Sequence, residues 1–391
     1  MRELRRQGYD VARMGRSDLV APHPGERGRW SRALVRERLG DYPAVAIFTS
    51  EHPLDVAVPK AADRLRFTGA ANTVYAAGLS EGAFLKVGEG LYVSGPELLF
   101  LELALVMDLP RHLLVGMELC GSFARDAANP RGGEVAYQLP AATSVEKIRS
   151  FVEGCRGVRG LLAARRTLEY LEDNAWSPME AMIAAFAVMP AEEMGYELWP
   201  IELNGRVGAG EGAAKETRVP DIRFRGSDVG LNYDGEGHAP MEGVADAAAR
   251  VAADPGSQVA AHELAEALER VRRGIVEDKR RDRDLGAAGL TVFAATKEDL
   301  YERGGLDRLM MQVIGRIERE GNRKLGFQRA LIANDTIGRF RQDLIWSLLP
   351  GRQAIEARQR LCASHVSTAR AMVHDMTLED GELVEELVYP L

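Results

Sequence analysis

Potential metal ligands crowd one short hairpin of this sequence. The stretch PDIRFRGSDVGLNYDGEGH, from Pro220 to His238, consists of two alternating runs joined by Gly226-Ser227. A glycine that opens a two-residue loop predicts a type II′ β-turn, and the turn fixes which residues of the two strands face each other. The facing pairs, from the turn outward, are Arg225 and Asp228, Phe224 and Val229, Arg223 and Gly230, Ile222 and Leu231, and Asp221 and Asn232.

The predicted register places three oxygen-bearing side chains together. Apolar pairs fall on one face of the hairpin, and Asp221, Asn232 and Asp234 fall on the other, as a half-buried hairpin requires. Facing residues lie about 5 Å apart at Cβ and diagonal ones about 7–8 Å apart. One hard cation such as Mg²⁺ can therefore bridge Asp221 and Asp234, because carboxylate oxygens are its preferred protein ligands.

The same residues have structural explanations that compete with metal binding. Asp234-Gly235 is an ordinary turn signal. Glu180 follows Ser177 by three residues in the segment SPME, which is the spacing of a capping box at a helix start. His238 taken alone is more typical of a surface or hydrogen-bonding histidine.

Length and composition indicate a globular protein of more than one domain. A chain of 391 residues predicts two domains plus extensions, and its 46% hydrophobic and 28% charged residues are ordinary for a soluble protein. No apolar run approaches the roughly 18 residues that span a bilayer, and the basic N-terminus lacks the apolar core of a signal peptide. The expected location is the cytoplasm, without a membrane partner.

Cysteine spacing argues against a zinc module or a disulfide-stabilised protein, and the net charge argues against a molecule that is basic as a whole. Cys120, Cys155 and Cys362 form neither a zinc motif nor a disulfide framework, and we expect buried small side chains. A formal net charge of -8 means that nucleic-acid contacts must come from local patches. One basic run, Arg270 to Asp284, interleaves acids with bases and is predicted to be a solvated helix face.

Sequence patterns predict an α+β N-terminal half, followed by further helices and strands. The predicted N-terminal elements are strands at Ala44–Thr49 and Leu54–Pro59, a hairpin within Ala83–Val93, and a helix from Pro96. After these elements, a helix is predicted to start at Thr143 or Ser144, and the capping-box spacing favours Thr143. The predicted elements that follow are a helix from Ser177 to Pro190, a strand in YELWPIEL, helices after His238 and a strand at Leu290–Ala295. A helical extension is predicted beyond Gly326, with Trp346, Leu348 and Leu349 as its packing residues.

Several short motifs in order resemble a nuclease family. SPME, then PDIRF, then YDGEGH, then DKRRDRDLGAAGLTVFAATKEDL resemble the very-short-patch-repair-like endonuclease domain of the PD-(D/E)xK superfamily over roughly Ala175 to Glu318. Such domains contain, in order, a helix opening with Ser-Pro-x-Glu, a strand with Asp, a strand ending near Asp-Gly and His, a helix with an Asp and Arg pair, and a strand-helix close preceded by Thr. The resemblance implies an α/β restriction-endonuclease-like C-terminal domain, with a mixed sheet flanked by helices.

The resemblance also implies roles for individual residues. Glu180 corresponds to the helix glutamate, Asp221 to the strand aspartate that holds the metal, and Asp234 and His238 to the Asp and His of the turn. The helix pair corresponds to Asp282 and Arg283, or to Asp284. The implied chemistry is phosphodiester hydrolysis assisted by Mg²⁺ or Mn²⁺, with Glu180, Asp221, Asp234 and His238 as catalytic residues.

This chain departs from the family pattern at one ligand. Asn232 stands where the family places an acid two residues before the Asp, and an amide offers only a neutral oxygen. Glu236 lies on the same turn and is the candidate replacement, so the expected metal ligands are Asp221, Asn232, Asp234 and Glu236. Fewer carboxylates weaken the hold on a hard cation.

The N-terminal half resembles a second family. LDVAVP, the hairpin around Gly88–Gly90 and VSGPELLFLELA are similar to the region after the winged helix in AbiEi-type antitoxin-like proteins, over roughly Pro53 to Phe123. Gly95 between Ser94 and Pro96 departs from that pattern. The resulting domain prediction is 1–130 antitoxin-like, 131–174 helical connector, 175–325 nuclease-like and 326–391 helical extension.

Three hypotheses on function follow. The first is a metal-dependent DNA endonuclease or nickase that acts in defence or repair. The second is a catalytically degenerate nuclease-fold protein that binds DNA or acts as an antitoxin-like regulator, which Asn232 favours. The third is a protein-interaction module, with another protein or a second copy as its partner, which the acidic net charge suits.

Overall fold

The computed structural model describes residues 1–40, 48–76, 78–205, 220–235, 241–319, 323–362 and 373. The chain divides into two compact units, Met1–Ala181 and Met182–Leu391. The predicted connector 131–174 lies inside the first unit, and the predicted C-terminal extension belongs to the second. The predicted strand Ala44–Thr49 falls largely outside the described residues.

The first unit is a mixture of helices and small sheets, as the sequence predicts. Its helices are α1 Arg2–Arg6, α2 Arg32–Leu39, α3 Pro96–Leu103, α4 Leu109–Leu119, α5 Val145–Gly154 and α6 Leu161–Leu168; its strands are β1 Arg16–Ser17, β2 Leu54–Val58, β3 Ala70–Val74, β4 Phe84–Gly88 and β5 Leu91–Ser94. Strands β1, β4 and β5 form an antiparallel sheet, and β2 pairs in parallel with β3. The predicted hairpin β4–β5 and the helix from Pro96 are confirmed.

The start of α5 differs from the sequence prediction. Ser144, and not Thr143, caps the helix by accepting a hydrogen bond from the Lys147 backbone N–H at 3.3 Å. The Thr143 hydroxyl instead donates to the Glu97 carboxylate at 2.5 Å. Because its hydroxyl bonds to Glu97 of α3, Thr143 does not serve as the N-cap that its spacing predicts.

A buried histidine joins α3, α4 and α6. His112 Nε2 lies 2.8 Å from the Phe100 carbonyl oxygen, its Nδ1 lies 2.8 Å from Thr167 Oγ1, and its ring stacks on Phe100 at 4.1 Å between centroids. Burial lowers the pKa of His112 to about 4, because the charged imidazolium would lose its hydration. The histidine is therefore a neutral core residue.

The first helix is fastened to the unit by arginine. Arg5 is buried and donates to four carbonyl oxygens, which belong to Glu118, Gly121, Phe123 and Pro140. These bonds supply partners for a guanidinium that burial would otherwise leave unsatisfied.

The second unit contains a mixed four-stranded sheet followed by helices. Its helices are α7 Pro178–Val188, which begins in the last residues of the first unit, α8 Met241–Ala253, α9 Gln258–Ala287, α10 Lys297–Tyr301, α11 Gly305–Arg319, α12 Gly326–Ala333, α13 Asp335–Leu348 and α14 Arg352–Cys362; its strands are β6 Ile201–Leu203, β7 Ile222–Phe224, β8 Val229–Asp234 and β9 Thr291–Thr296. The strand order is β6-β7-β8-β9, with antiparallel pairing except between β8 and β9, which are parallel. Helices α8 and α9 form the crossover that a parallel pair requires.

The C-terminal helices pack on this unit through apolar and ionic contacts. Trp346, Leu348 and Leu349 are buried, as predicted. Arg341 of α13 is also buried, forms an ion pair with Asp307 of α11, and lies 4.2 Å above the ring of Tyr196. The predicted helical C-terminal region is therefore confirmed over α12 to α14.

Candidate functional site

Strands β7 and β8 have the register that the apolar pairing predicts. Ile222 pairs with Leu231 and Arg223 pairs with Gly230. The turn is different from the prediction. Gly226 has a φ of 79° in a turn that the Ser227 N–H closes by donating to the Phe224 carbonyl at 3.2 Å, and four residues, 225–228, separate the strands. The predicted two-residue type II′ turn is therefore wrong, because Gly226 occupies the third position of a β-turn over 224–227 and not the second position of one over 225–228.

An arginine joins the two facing polar residues of the hairpin. Arg281 Nη2 donates to Asp221 Oδ1 at 2.7 Å and to Asn232 Oδ1 at 3.0 Å. Asp221 is 9% exposed and Asn232 is 4% exposed. We call these three residues the Arg281 cluster. The hairpin face that the sequence predicts to be open for a cation is thus covered by α9.

Backbone groups complete the Arg281 cluster. Asp221 Oδ2 accepts a hydrogen bond from the Tyr233 N–H at 2.7 Å, and Asn232 Oδ1 accepts one from the Asp221 N–H at 3.1 Å. Both carboxylate oxygens of Asp221 therefore have a donor, and one of the two donors carries a full positive charge. A hydrogen bond between charged groups is roughly twice as strong as a neutral one.

Helical spacing positions Arg281 toward the sheet. Leu285, four residues later on α9, is buried and lies on the same helix face as Arg281. Asp282, Arg283 and Asp284, which the resemblance assigns to the functional pair, are exposed. Arg281, one to three positions earlier, is the α9 residue that contacts Asp221, and the spacing to the buried Leu285 indicates that it lies on the face toward the sheet.

Glu180 takes part in hydrogen bonds at the start of α7, although its carboxylate bonds to the residue before the predicted N-cap, Ser177. Ser177 Oγ accepts the Glu180 N–H at 3.1 Å, and the Glu180 carboxylate accepts the Trp176 N–H at 3.2 and 3.3 Å. Glu180 lies in the first unit, whereas the Arg281 cluster lies in the second. Its contacts with the backbone explain why this acid is buried at a helix start.

The remaining predicted site residues lie at the end of β8 and beyond it. Asp234 is exposed at the last position of the strand and pairs in register with Thr296 of β9. Glu236 and His238 lie outside the described residues. Within the ranges that the structure describes, no group of three or more His, Cys, Asp and Glu side chains could hold a metal ion. Asp221, Asn232 and Asp234 as arranged there do not fit a hard cation, since Arg281 takes the oxygens of the first two.

A second arginine fixes the turn of the hairpin. Arg316 of α11 forms an ion pair with Asp228 and donates from Nε to Thr291 Oγ1 at 2.9 Å. Arginines from two helices therefore hold the two ends of the hairpin against α9 and α11.

Comparisons with known proteins give no relative for this chain. No family model, no curated protein and no solved structure matches it. In the part of the chain that the structure covers, no helix is both long and apolar enough to cross a membrane.

Proposed function

We propose that this chain is a DNA-binding protein built on a nuclease-like sheet whose cation position is taken by an arginine. The order of elements supports the nuclease-like part of the proposal. Helix α7 opens with Ser177-Pro178-x-Glu180, Asp221 precedes β7, Asp234 ends β8, and β9 leads into α10. The same order carries the resemblance in the sequence.

The Arg281 cluster is the observation that favours binding over hydrolysis. A cation that used Asp221 would have to displace Arg281 Nη2 from 2.7 Å and break the bond to Asn232 Oδ1 at 3.0 Å. In exchange, the cation would gain two ligands, the carboxylate of Asp221 and the neutral amide oxygen of Asn232. A bound cation would neutralise Asp221 in place of Arg281, but it would also separate an ion pair that already satisfies this carboxylate. The loss of the native ion pair therefore opposes cation binding at this position.

One observation favours a second candidate, a metal-dependent DNA endonuclease or nickase. Asp234 is exposed two residues after Asn232, so its carboxylate is accessible from solvent. If Mg²⁺ or Mn²⁺ bound to Asp234, it would need Asp221 as a second carboxylate ligand, and Asp221 would then have to give up its hydrogen bond with Arg281. This candidate requires that change, whereas the DNA-binding proposal does not.

Incubation with supercoiled plasmid separates the two candidates. We expect the wild-type protein to retard the plasmid in a gel and to leave it supercoiled with Mg²⁺ or Mn²⁺. The Asp221→Ala and Asp234→Ala variants provide the comparison. Nicking that requires the cation and disappears in both variants would establish the nuclease instead. A plasmid that is neither cleaved nor retarded would overturn both candidates.

A further inference from the structure

We infer that the arginine-rich connection between α5 and α6 binds the phosphodiester backbone of duplex DNA. The inference rests on the proposed DNA-binding function and locates the contact in the first unit, whereas the hairpin belongs to the second. We call residues 155–168, which comprise the connection and α6, the arginine elbow.

The arginine elbow carries charge of a single sign. Arg156, Arg159, Arg165 and Arg166 are all exposed, and the sequence CRGVRGLLAARRTL contains no Asp or Glu. Such a run contrasts with the net charge of -8 for the whole chain. Single-sign patches attract phosphate groups and make the affinity depend on salt.

The basic run of α9 is a weaker candidate for the same contact. Its arginines pair with neighbouring acids, as Arg272 does with Glu269 at 3.6 Å and Arg280 with Glu277 at 3.7 Å. Acidic residues interleaved with the basic ones reduce the positive field of this run. The arginine elbow is therefore the better surface for a polyanion.

Helical geometry directs two of the arginines outward. Ala164, Thr167 and Leu168 form the buried face of α6, whereas Arg165 and Arg166 are exposed. Helix α6 begins after Gly160, so its positive end lies beside Arg159. Arginine side chains and helix N-termini are common donors to DNA phosphates.

The rest of the unit holds the connection in place. The Arg156 N–H donates to the Gly78 carbonyl at 2.8 Å, and Ser80 Oγ donates to the Phe151 carbonyl at 2.7 Å. A Cβ added at Gly78 would lie 1.8 Å from the Arg156 carbonyl oxygen, and Gly78 has a φ of 90°. Cys155 is completely buried. The arginines therefore project from a fixed backbone, which lowers the entropy lost on binding.

Residue types favour duplex DNA as the partner. The arginine elbow contains no aromatic residue, whereas surfaces for single strands stack bases on aromatic rings. Leu162 is 84% exposed among the arginines, and an acidic protein could use it together with them. Because four exposed arginines surround this one exposed leucine, the positive charge favours the DNA phosphate backbone as the ligand over an acidic protein.

Fluorescence anisotropy with the full chain and a labelled random-sequence duplex tests the inference. The Arg159→Glu/Arg165→Glu variant should bind at least about tenfold more weakly and should show a salt dependence reduced by about two phosphate contacts. The Arg272→Glu/Arg280→Glu variant makes the same change in charge on α9 and should keep the wild-type affinity. Circular dichroism melting verifies folding, and the milder Arg159→Gln/Arg165→Gln variant should weaken binding by an intermediate factor.

Three results would contradict these expectations. If the wild type binds and the elbow variants bind equally well, the inference is overturned while the proposed function stands. Tighter binding to duplex RNA of the same length would overturn duplex DNA as the ligand. A wild-type protein that binds no DNA even at about 50 mM salt would overturn the proposed function and the inference together.

Discussion

Arg281 supplies the positive charge that the buried carboxylate of Asp221 requires. Without it, Asp221 would keep one backbone donor, from Tyr233, and an unneutralised charge beside Asn232. The residue therefore has a structural role that is independent of any ligand.

We predict that Arg281→Met lowers the free energy of unfolding by about 2–4 kcal/mol, because it leaves Asp221 buried and unpaired. Arg280→Met is the matched control: Arg280 is exposed and its pair with Glu277 is long, so the change should be within about 0.5 kcal/mol. Urea denaturation measures both. Equal losses in the two variants would show that the ion pair does not stabilise the fold.

The hairpin shows which part of a site can be predicted from local sequence. The pairing of Ile222 with Leu231 follows from alternation alone, because a slip by one residue would expose the apolar face. Arg281 is 60 residues away from Asp221 along the chain. Its contact depends on where α9 packs, which no local pattern specifies.

Helix starts show the same limit at the scale of elements. The SPME start of α7 was predictable because its hydrogen bonds lie within four residues. The start of α5 was misassigned by one residue, because Thr143 bonds to Glu97 of another helix. Local capping rules hold only where no distant partner competes.

The capping role of Glu180 predicts how two substitutions differ. Glu180→Gln keeps an oxygen that can accept the Trp176 N–H and should change the free energy of unfolding by less than about 0.5 kcal/mol. Glu180→Ala should cost about 1 kcal/mol, since the Trp176 N–H loses its partner. Thermal or urea unfolding distinguishes them, with Glu153→Ala on the exposed face of α5 as the control. Equal costs for Gln and Ala would contradict the capping role.

At the scale of the whole molecule, buried polar groups link stability to pH. His112 has a pKa near 4 in the folded chain, against the ordinary value of 6.5. The unfolded chain therefore takes up a proton at a higher pH than the folded one does. The contribution of His112 to stability is complete above about pH 6.5 and is lost as the pH falls toward 4.

We predict that this loss amounts to about 3 kcal/mol between neutral pH and pH 4. His112→Gln removes the titrating group and should flatten the pH dependence by that amount, whatever its own stability at pH 7. Urea unfolding of both proteins across this pH range gives the difference between their free energies of unfolding at each pH. The contributions of the other titratable groups are the same in both proteins and cancel in this difference. Parallel pH profiles would contradict the prediction.

The bonds of Arg5 also have a consequence for synthesis on the ribosome. The four carbonyl partners of this side chain come 113 to 135 residues later in the chain. Helix α1 leaves the exit tunnel long before Pro140 has been translated, so it must wait for its docking site. Helix α1 is thus among the last parts of its unit to reach its final place, because contacts between residues far apart in the chain form late.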